Sequence, residues 1–157
     1  MLPRQIGPNG LALIQRWETL QLVGMLPTPN DVPTAGWGHT GPDVVLGQTY
    51  TMDQATQWLQ QDLQWAEECV CNSILPSLTQ NQFDACVSLA YNIGCAGFAG
   101  SSVARDLNAH NLSAAANAFL MWDRQHGTAS QGLLTRRSQE RDLFNTPDDA
   151  PWVCPTH

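Results

Sequence analysis

A single carboxylate, Glu18, stands where an apolar helical pattern gives way to a polar stretch rich in turns. That stretch contains Pro, Thr, Asn and Asp residues and closes on the segment 36–40 (GWGHT). A protonated carboxyl group can donate a proton to a leaving oxygen, and a carboxylate or hydroxyl can hold the attacking water. An acid on a helix that faces a polar hairpin is an arrangement suited to cutting a polymer.

The elements around Glu18 can be placed from the pattern of apolar and capping residues. Asn9 is predicted to cap a first helix, which carries Leu11, Leu13, Ile14 and Trp17 on helical spacing and ends at Glu18. Residues 20–50 hold five Gly and four Pro, which favours a small antiparallel hairpin region. Further helices are predicted to open at the capping boxes of Thr51 and Thr79, at Ser101 or Ser102, at Ser113 and at Thr135.

Length and charge exclude several classes of protein. The chain has 157 residues and a formal net charge of −7, so it lacks the basic surface that a nucleic-acid-binding protein needs. No run of about 18 apolar residues is present, and the start lacks the apolar segment of a signal peptide. We therefore expect one domain, no nucleic-acid partner, no stable membrane association and a monomer. The scattered histidines predict neither a metal site nor a cofactor.

The five cysteines leave at least one thiol unpaired within the chain. Cys69 and Cys71 are two residues apart on a predicted helix and point to different faces, so they should not pair with each other. Cys86 and Cys95 could form a bridge across a helix end, with buried free thiols as the alternative. The pairing of these four, and of Cys154, stays open.

Several blocks, taken in order, make the chain resemble a known family. They are Glu18 followed by the segment 34–40 (TAGWGHT), then 78–85 (LTQNQFDA), 91–94 (YNIG), Ser101-Ser102, Leu107-Asn108, Phe119 with Trp122, Gly132-Leu133, and Arg136-Arg137 with Glu140. The sequence is similar to the phage-type lysozymes, or endolysins, of glycoside hydrolase family 24. The resemblance spans nearly the whole chain, from Leu11 to Phe144.

The resemblance implies both a fold and an activity. The expected fold class is α+β and mainly α: one lysozyme-like catalytic domain over residues 1–157. It would have a small β-hairpin-containing lobe at about 18–55, a larger helical lobe and a cleft between them. The implied activity is hydrolysis of the 1,4-β bond between N-acetylmuramic acid and N-acetylglucosamine in peptidoglycan. The protein would be made in the cytoplasm of a bacterial host and reach the wall through a separate pore protein.

The family's catalytic set of Glu, Asp and Thr carries over only in part. Its Glu corresponds to Glu18 and its Thr to Thr34, whereas the position of its Asp falls on Thr28 or Pro27. Asp31 supplies the only nearby carboxylate. Three cases stay open: Asp31 acts as a displaced partner, Thr28 and Thr34 together hold the water, or the enzyme is weakened or inactive.

Other residues receive lesser roles from the same resemblance. Arg136 or Arg137 could form an ion pair with Glu18. We expect His39, Arg137 and Gln82 to be candidates for substrate contact, with a structural histidine, a solvated arginine and a helix cap as the respective alternatives. Two further functions fit a chain that lacks the second carboxylate: a lytic transglycosylase acting on the same bond, and a wall-binding module without activity.

Overall fold

A computed structural model of the chain describes residues 4–151, 153 and 154, and the contacts between them divide into two units. The smaller unit is Gln15–Gln64; the larger comprises the described residues as far as Ile14 together with those from Trp65 onward. The first helix, α1, spans Pro8–Trp17 and therefore ends directly before Glu18, as its apolar spacing predicts. The assignment of the whole chain to one catalytic domain stays a prediction.

The smaller unit is a three-stranded antiparallel sheet packed against one helix. Its strands are β1 (Gln21–Met25), β2 (Thr34–Gly36) and β3 (His39–Thr40), in the order β1-β2-β3, and its helix is α2 (Met52–Asp62). Gly36 and Gly38 adopt φ values of 64° and 81°, which a glycine reaches without strain, and they turn the chain tightly from β2 into β3. Ala35, Val44 and Trp58 form the core.

The larger unit is mainly helical. Its remaining elements are α3 (Gln64–Ser73), α4 (Gln80–Ile93), α5 (Cys95–Ala99), α6 (Ser102–Asn108), α7 (Leu112–Ala118), a 3₁₀ turn (Phe119–Met121), the hairpin β4 (Arg124–Gln125) and β5 (Thr128–Ala129), and α8 (Gln131–Phe144). The central helix α4 is buried along most of its length and packs chiefly on α8. Mainly helical elements with small antiparallel sheets confirm the predicted fold class.

Three of the predicted helix caps are correct. Thr51 caps α2, Ser101 caps α6, and Thr79 with Gln82 forms the complete capping box of α4, which ends at Gly94 as expected. Two starts were predicted wrongly. Asn111 rather than Ser113 caps α7, and Ser130 rather than Thr135 caps α8, one turn earlier.

The start of α1 is held by a residue far away in the sequence, so the predicted cap at Asn9 is wrong. The carboxylate of Asp84, on α4, accepts hydrogen bonds from the backbone N–H groups of Gly7 (2.9 Å) and Gly10 (3.0 Å). Asn9 lies inside the helix and donates its side-chain amide to Asn81. A Cβ atom at Gly10 would lie 2.5 Å from the Cβ of Asp84, so glycine permits this close approach of α1 to α4.

The structure decides the cysteine pairing that the sequence left open, and Cys86 does not pair with Cys95. Cys69, on α3, forms a disulfide with Cys95, at the start of α5. Cys86 is a fully buried free thiol within α4, Cys71 is an exposed free thiol, and the thiol of Cys154 donates to the carbonyl of Ala12. A cysteine at position 86 faces the core of a long helix, so Cys95 pairs with the residue that α3 brings beside it.

The helices of the described part of the chain are all too short or too polar to cross a membrane.

Candidate active site

Glu18 and Thr34 line one pocket within the smaller unit. The pocket has a volume of about 420 Å³ and is formed by Trp17, Glu18, Thr19, Gln21, Met25, Pro27, Thr34, Gly36 and Gly38. The end of α1 supplies the acid, and β1 and β2 supply most of the opposite side. Two of the four predicted catalytic residues therefore meet in one concave surface.

The β2 strand fixes Thr34 by both its backbone and its side chain. Thr34 pairs with Met25 on β1 and with Thr40 on β3. Its hydroxyl group donates a hydrogen bond to the carbonyl of Val32 at 3.0 Å. Because the hydroxyl proton is used in this way, the oxygen lone pairs are oriented to accept a hydrogen bond from a water molecule.

Thr28 and Asp31 lie in an exposed turn and do not line the pocket that holds Glu18. The N–H of Asp31 donates to the carbonyl of Thr28 at 3.0 Å, and the Asp31 carboxylate accepts the N–H of Val32 at 2.9 Å. These bonds are typical of a local turn that a short acidic side chain stabilises. Pro27, the residue reached by counting forward from Glu18, occupies the pocket edge in their place.

His39 is buried and held between two carboxylates. Its Nδ1 lies 2.9 Å from an oxygen of Asp62, its Nε2 lies 3.0 Å from an oxygen of Asp43, and its ring stacks on Trp58 at 4.6 Å between centroids. The hydrogen bond from His39 lowers the pKa of the Asp43 carboxyl group, against a smaller opposing effect of burial. This environment gives His39 a structural role in anchoring β3, the strand beside Thr34; substrate contact by His39 stays a prediction.

Arg137 belongs to a buried polar cluster between α4 and α8. Its Nε lies 2.7 Å from Oε1 of Glu140, close enough for an ion pair although not aligned as a hydrogen bond, and its guanidinium donates to Asn92 at 2.9 Å. Ser88 donates to the Glu140 carboxylate at 2.5 Å. Burial raises the pKa of Glu140 and lowers that of Arg137, while each partner opposes the shift of the other.

The Arg137 side chain is fully buried, so the structure gives it a packing and charge-pairing role. Arg136 also approaches Glu140, at 3.6 Å, and its predicted pairing with Glu18 stays a prediction. Gln82 serves the capping box of α4, where its side chain accepts the N–H of Thr79, and it lines a pocket other than that of Glu18.

The sequence did not predict a further pocket in the larger unit. It has a volume of about 380 Å³ and is lined by Asn92, Ile93, Trp122, Arg124, Gln125 and Leu133. An aromatic ring with neighbouring amide and guanidinium groups is a surface that can bind a sugar ring and its substituents. The chain has six tryptophans, a number that favours sugar stacking somewhere, but this count does not distinguish Trp122 from a core residue.

No group of three or more His, Cys, Asp or Glu side chains among the described residues could hold a metal ion.

Comparison with known proteins places the chain in a family. The phage lysozyme family model matches residues 15–140. The endolysin of Salmonella phage P22 is 42% identical over 144 residues, which cover 89% of this chain and 97% of that protein.

Two solved structures have the same fold over almost their whole length. A crystal structure of a P22 lysozyme variant superimposes with a TM-score of 0.85 at 41% identity, covering 91% of this chain and 99% of the other. The muramidase domain of SpmX from Asticaccaulis excentricus gives a TM-score of 0.80 at 34% identity, covering 92% and 99%. With Glu18 and Thr34 lining one pocket, these matches show that the chain belongs to the phage lysozyme family of glycoside hydrolases.

Proposed function

We propose that this chain hydrolyses the 1,4-β bond between N-acetylmuramic acid and N-acetylglucosamine in bacterial peptidoglycan, and thereby lyses the host cell at the end of a phage cycle. The observation that carries the proposal is the shared pocket of Glu18 and Thr34 in a chain of the phage lysozyme family. The names of its relatives, an endolysin and a muramidase domain, point to the same wall polymer.

In this proposal Glu18 is the general acid. Its carboxyl group protonates the glycosidic oxygen as the bond to the sugar breaks, and positive charge develops on the ring that loses the leaving group. Glu18 directly follows Trp17, the last residue of a regular helix, and both residues line the pocket. A group held by a rigid element reaches the reacting oxygen with little loss of entropy.

Thr34 positions the water that attacks the sugar. Its hydroxyl donates to Val32 and can accept a hydrogen bond from the water. A hydroxyl is a poor base, so the water bonds to C1 of the sugar first and then releases its proton to solvent, and we expect a slower enzyme than one with two carboxylates. Thr28 and Asp31 take no part in this mechanism unless their turn rearranges, because neither residue lines the pocket of Glu18 and the Asp31 carboxylate accepts the N–H of Val32 within the turn.

The test is the Glu18→Gln variant, which keeps the size of the side chain and removes its proton-donating acid. Its rate of clearing permeabilised bacterial cells should fall by about 1,000-fold or more. Glu68→Gln is a matched control, because Glu68 is an exposed glutamate on α3. Clearing by the Glu18 variant at the rate of the control would refute the proposal.

A second candidate, a lytic transglycosylase, is favoured by one observation. Glu18 is the only ionisable side chain among the residues that line its pocket. A transglycosylase needs one acid and no activated water, because the 6-hydroxyl of the muramic acid attacks its own ring. Mass spectrometry of the released fragments separates the two reactions: the hydrolase yields reducing muramic ends, and the transglycosylase yields anhydro-muramic ends.

The proposal extends to partners and location. The enzyme acts as a monomer on glycan strands, forms no stable complex with membranes or nucleic acid, and reaches the wall from the host cytoplasm through a separate pore protein. The formal charge of −7 supports the absence of nucleic-acid binding. Expressed alone in a bacterium, the protein should leave the culture intact until the membrane is permeabilised; spontaneous lysis during expression would contradict the pore requirement.

A further inference from the structure

A third pocket lies entirely in the larger unit and shares no residue with the pocket of Glu18. It has a volume of about 490 Å³ and is formed where the start of α4, the helix α7 and the end of α8 meet. Its lining residues are Thr79, Gln82, Leu112, Ser113, Ala116, Asn117, Phe144, Asn145, Thr146 and Pro147. None of these side chains carries a formal charge.

The lining combines an apolar floor with a neutral polar rim. Phe144 and Ala116 are each 3% exposed and form the floor. The rim is made of three side-chain amides and three hydroxyls, contributed by Gln82, Asn117, Asn145, Thr79, Ser113 and Thr146. An N-acetylated sugar presents the complementary chemistry, because its ring has an apolar face and its edges carry hydroxyl and amide groups.

The hydrogen bonds that hold the walls of the pocket use only some of the polar groups of the rim. Thr79 and Gln82 bond to each other's backbone N–H groups in the capping box, and this leaves the amide nitrogen of Gln82 as a donor. The Thr146 hydroxyl donates to the carbonyl of Asp142 at 2.7 Å. Pre-formed walls reduce the entropy that a ligand must lose on binding.

Asp148, which follows the lining residue Pro147 in the sequence, has its carboxylate bonded to the start of α4. The Asp148 carboxylate accepts the N–H groups of Gln80 (2.8 Å) and Asn81 (2.9 Å) at the start of α4, and these two bonds lower its pKa. The negative charge of Asp148 therefore interacts with the N–H groups at the start of α4. The pocket stays a neutral surface on a protein that carries a net charge of −7.

We propose that this pocket is a second, non-catalytic binding site for the N-acetylated glycan of the cell wall. The inference rests on the proposed function for its choice of polymer. An acidic protein gains no electrostatic attraction to an anionic wall, so a neutral site that contacts sugar supplies adhesion that charge cannot. The glycan fits better than the peptide stems of the wall, whose charged groups would find no partner in an uncharged lining.

The experiment is an NMR titration of the Glu18→Gln protein with an N-acetylglucosamine tetramer. This variant lacks the proposed acid and should leave the tetramer uncleaved. Binding at each pocket is measured from the backbone amide signals of the residues that line that pocket. Amide shifts should change at residues 112–117 and 144–146, as well as near residues 17–38. Changes confined to 17–38 would overturn the second site and leave the proposed function standing. Changes confined to residues 112–117 and 144–146 would support the second site and count against the proposed function. No change at either pocket would overturn the second site.

A double variant, Asn117→Ala with Asn145→Ala, tests the rim directly in the same background. Both residues are exposed, so their loss should leave the fold intact. Shifts at residues 112–117 and 144–146 should disappear, while those near Glu18 remain as proof of folding. Retention on purified wall should weaken about tenfold relative to Asn72→Ala, an exposed asparagine on α3. Equal retention by the two proteins would overturn the proposal.

Discussion

Thr34 holds the nucleophilic water in the proposed hydrolysis, since no second carboxylate is among the described residues that line the pocket of Glu18. Thr34→Val has nearly the same shape and lacks the hydroxyl, so its turnover of peptidoglycan should fall by about 100-fold. Thr34→Ser retains the hydroxyl and should keep most of the activity. Steady-state rates on purified wall, with the melting temperature as a control for folding, measure both effects.

The same assay separates Thr34 from the two residues of the exposed turn. Thr28→Val and Asp31→Asn should each retain activity within about threefold of the wild type, because their side chains lie outside the pocket. A loss in Asp31→Asn as large as that in Glu18→Gln would instead show that the turn closes over the substrate and brings Asp31 to the water.

At the level of single residues, the family resemblance pointed to Glu18 and Thr34, and the structure brings both to one pocket, while their catalytic roles stay predictions. The sequence could not place Thr28 and Asp31, since counting along the chain cannot show which side of a turn faces the pocket. It left the burial of Arg137 open as well, and substrate contact by Arg137 stays a prediction. Only the packing of α8 on α4 shows that this guanidinium is buried beside Glu140.

Among the elements, the long-range cap of α1 makes a prediction about pH. Burial raises the pKa of Asp84 above its ordinary value of 3.8, against the hydrogen bonds from Gly7, Gln80 and Gly10 that lower it. Burial also raises the pKa of Glu67, which accepts the N–H of Ile6, and the charge of Asp84 adds to this shift.

A carboxyl group with a raised pKa in the folded state binds its proton more tightly when folded than when unfolded. The free energy of unfolding that it contributes therefore falls as the pH rises through the folded-state pKa, and this loss is absent below 3.8. Relative to Asp84→Asn, which cannot titrate at this position, the wild type should gain stability as the pH falls from 7 towards 4. Denaturant unfolding at several pH values measures the free energy of unfolding of both proteins. A wild type that loses stability relative to Asp84→Asn as the pH falls from 7 towards 4 would contradict the raised pKa of Asp84.

The disulfide between α3 and α5 makes a second prediction at this scale. It joins residues separated by 26 positions, and a loop of that length corresponds to a stabilisation of about 3 to 4 kcal/mol. Reduction of the wild type should lower the melting temperature by roughly 10 °C, and Cys69→Ala with Cys95→Ala should do the same. The double variant should then be insensitive to reductant. Cys86→Ala is the control that should leave the response to reductant unchanged, since its thiol is free.

Local signals explain which elements the sequence could predict. Thr51, Thr79 and Ser101 cap helices that begin one residue later, so a short sequence window contains the whole signal. The cap of α1 comes from Asp84, more than 70 residues away, and no window along the chain links the two. The same holds for Cys95, whose partner depends on how α3 packs.

The whole molecule is acidic, and this predicts how activity depends on salt. With a formal charge of −7, the enzyme is repelled by the anionic polymers of a bacterial wall. Salt at roughly 0.1 M shortens the reach of that repulsion to about 10 Å. The rate on intact wall should therefore rise with salt over this range, while the rate on a soluble neutral oligosaccharide stays constant. A rate on wall that falls steadily with salt would contradict this explanation.

The hydrogen bonds that the Asp148 carboxylate accepts from the first turn of α4 constrain how this enzyme can be re-engineered. A chimeric lysin that joins a foreign targeting module directly after Phe144 would discard the acceptor for two N–H groups of the central helix. The helix would then begin with those two donors unsatisfied, and this would destabilise the face of α4 that packs on α8. A graft point beyond position 148 keeps that acceptor, so the residues after α8 are part of the scaffold that any such hybrid must retain.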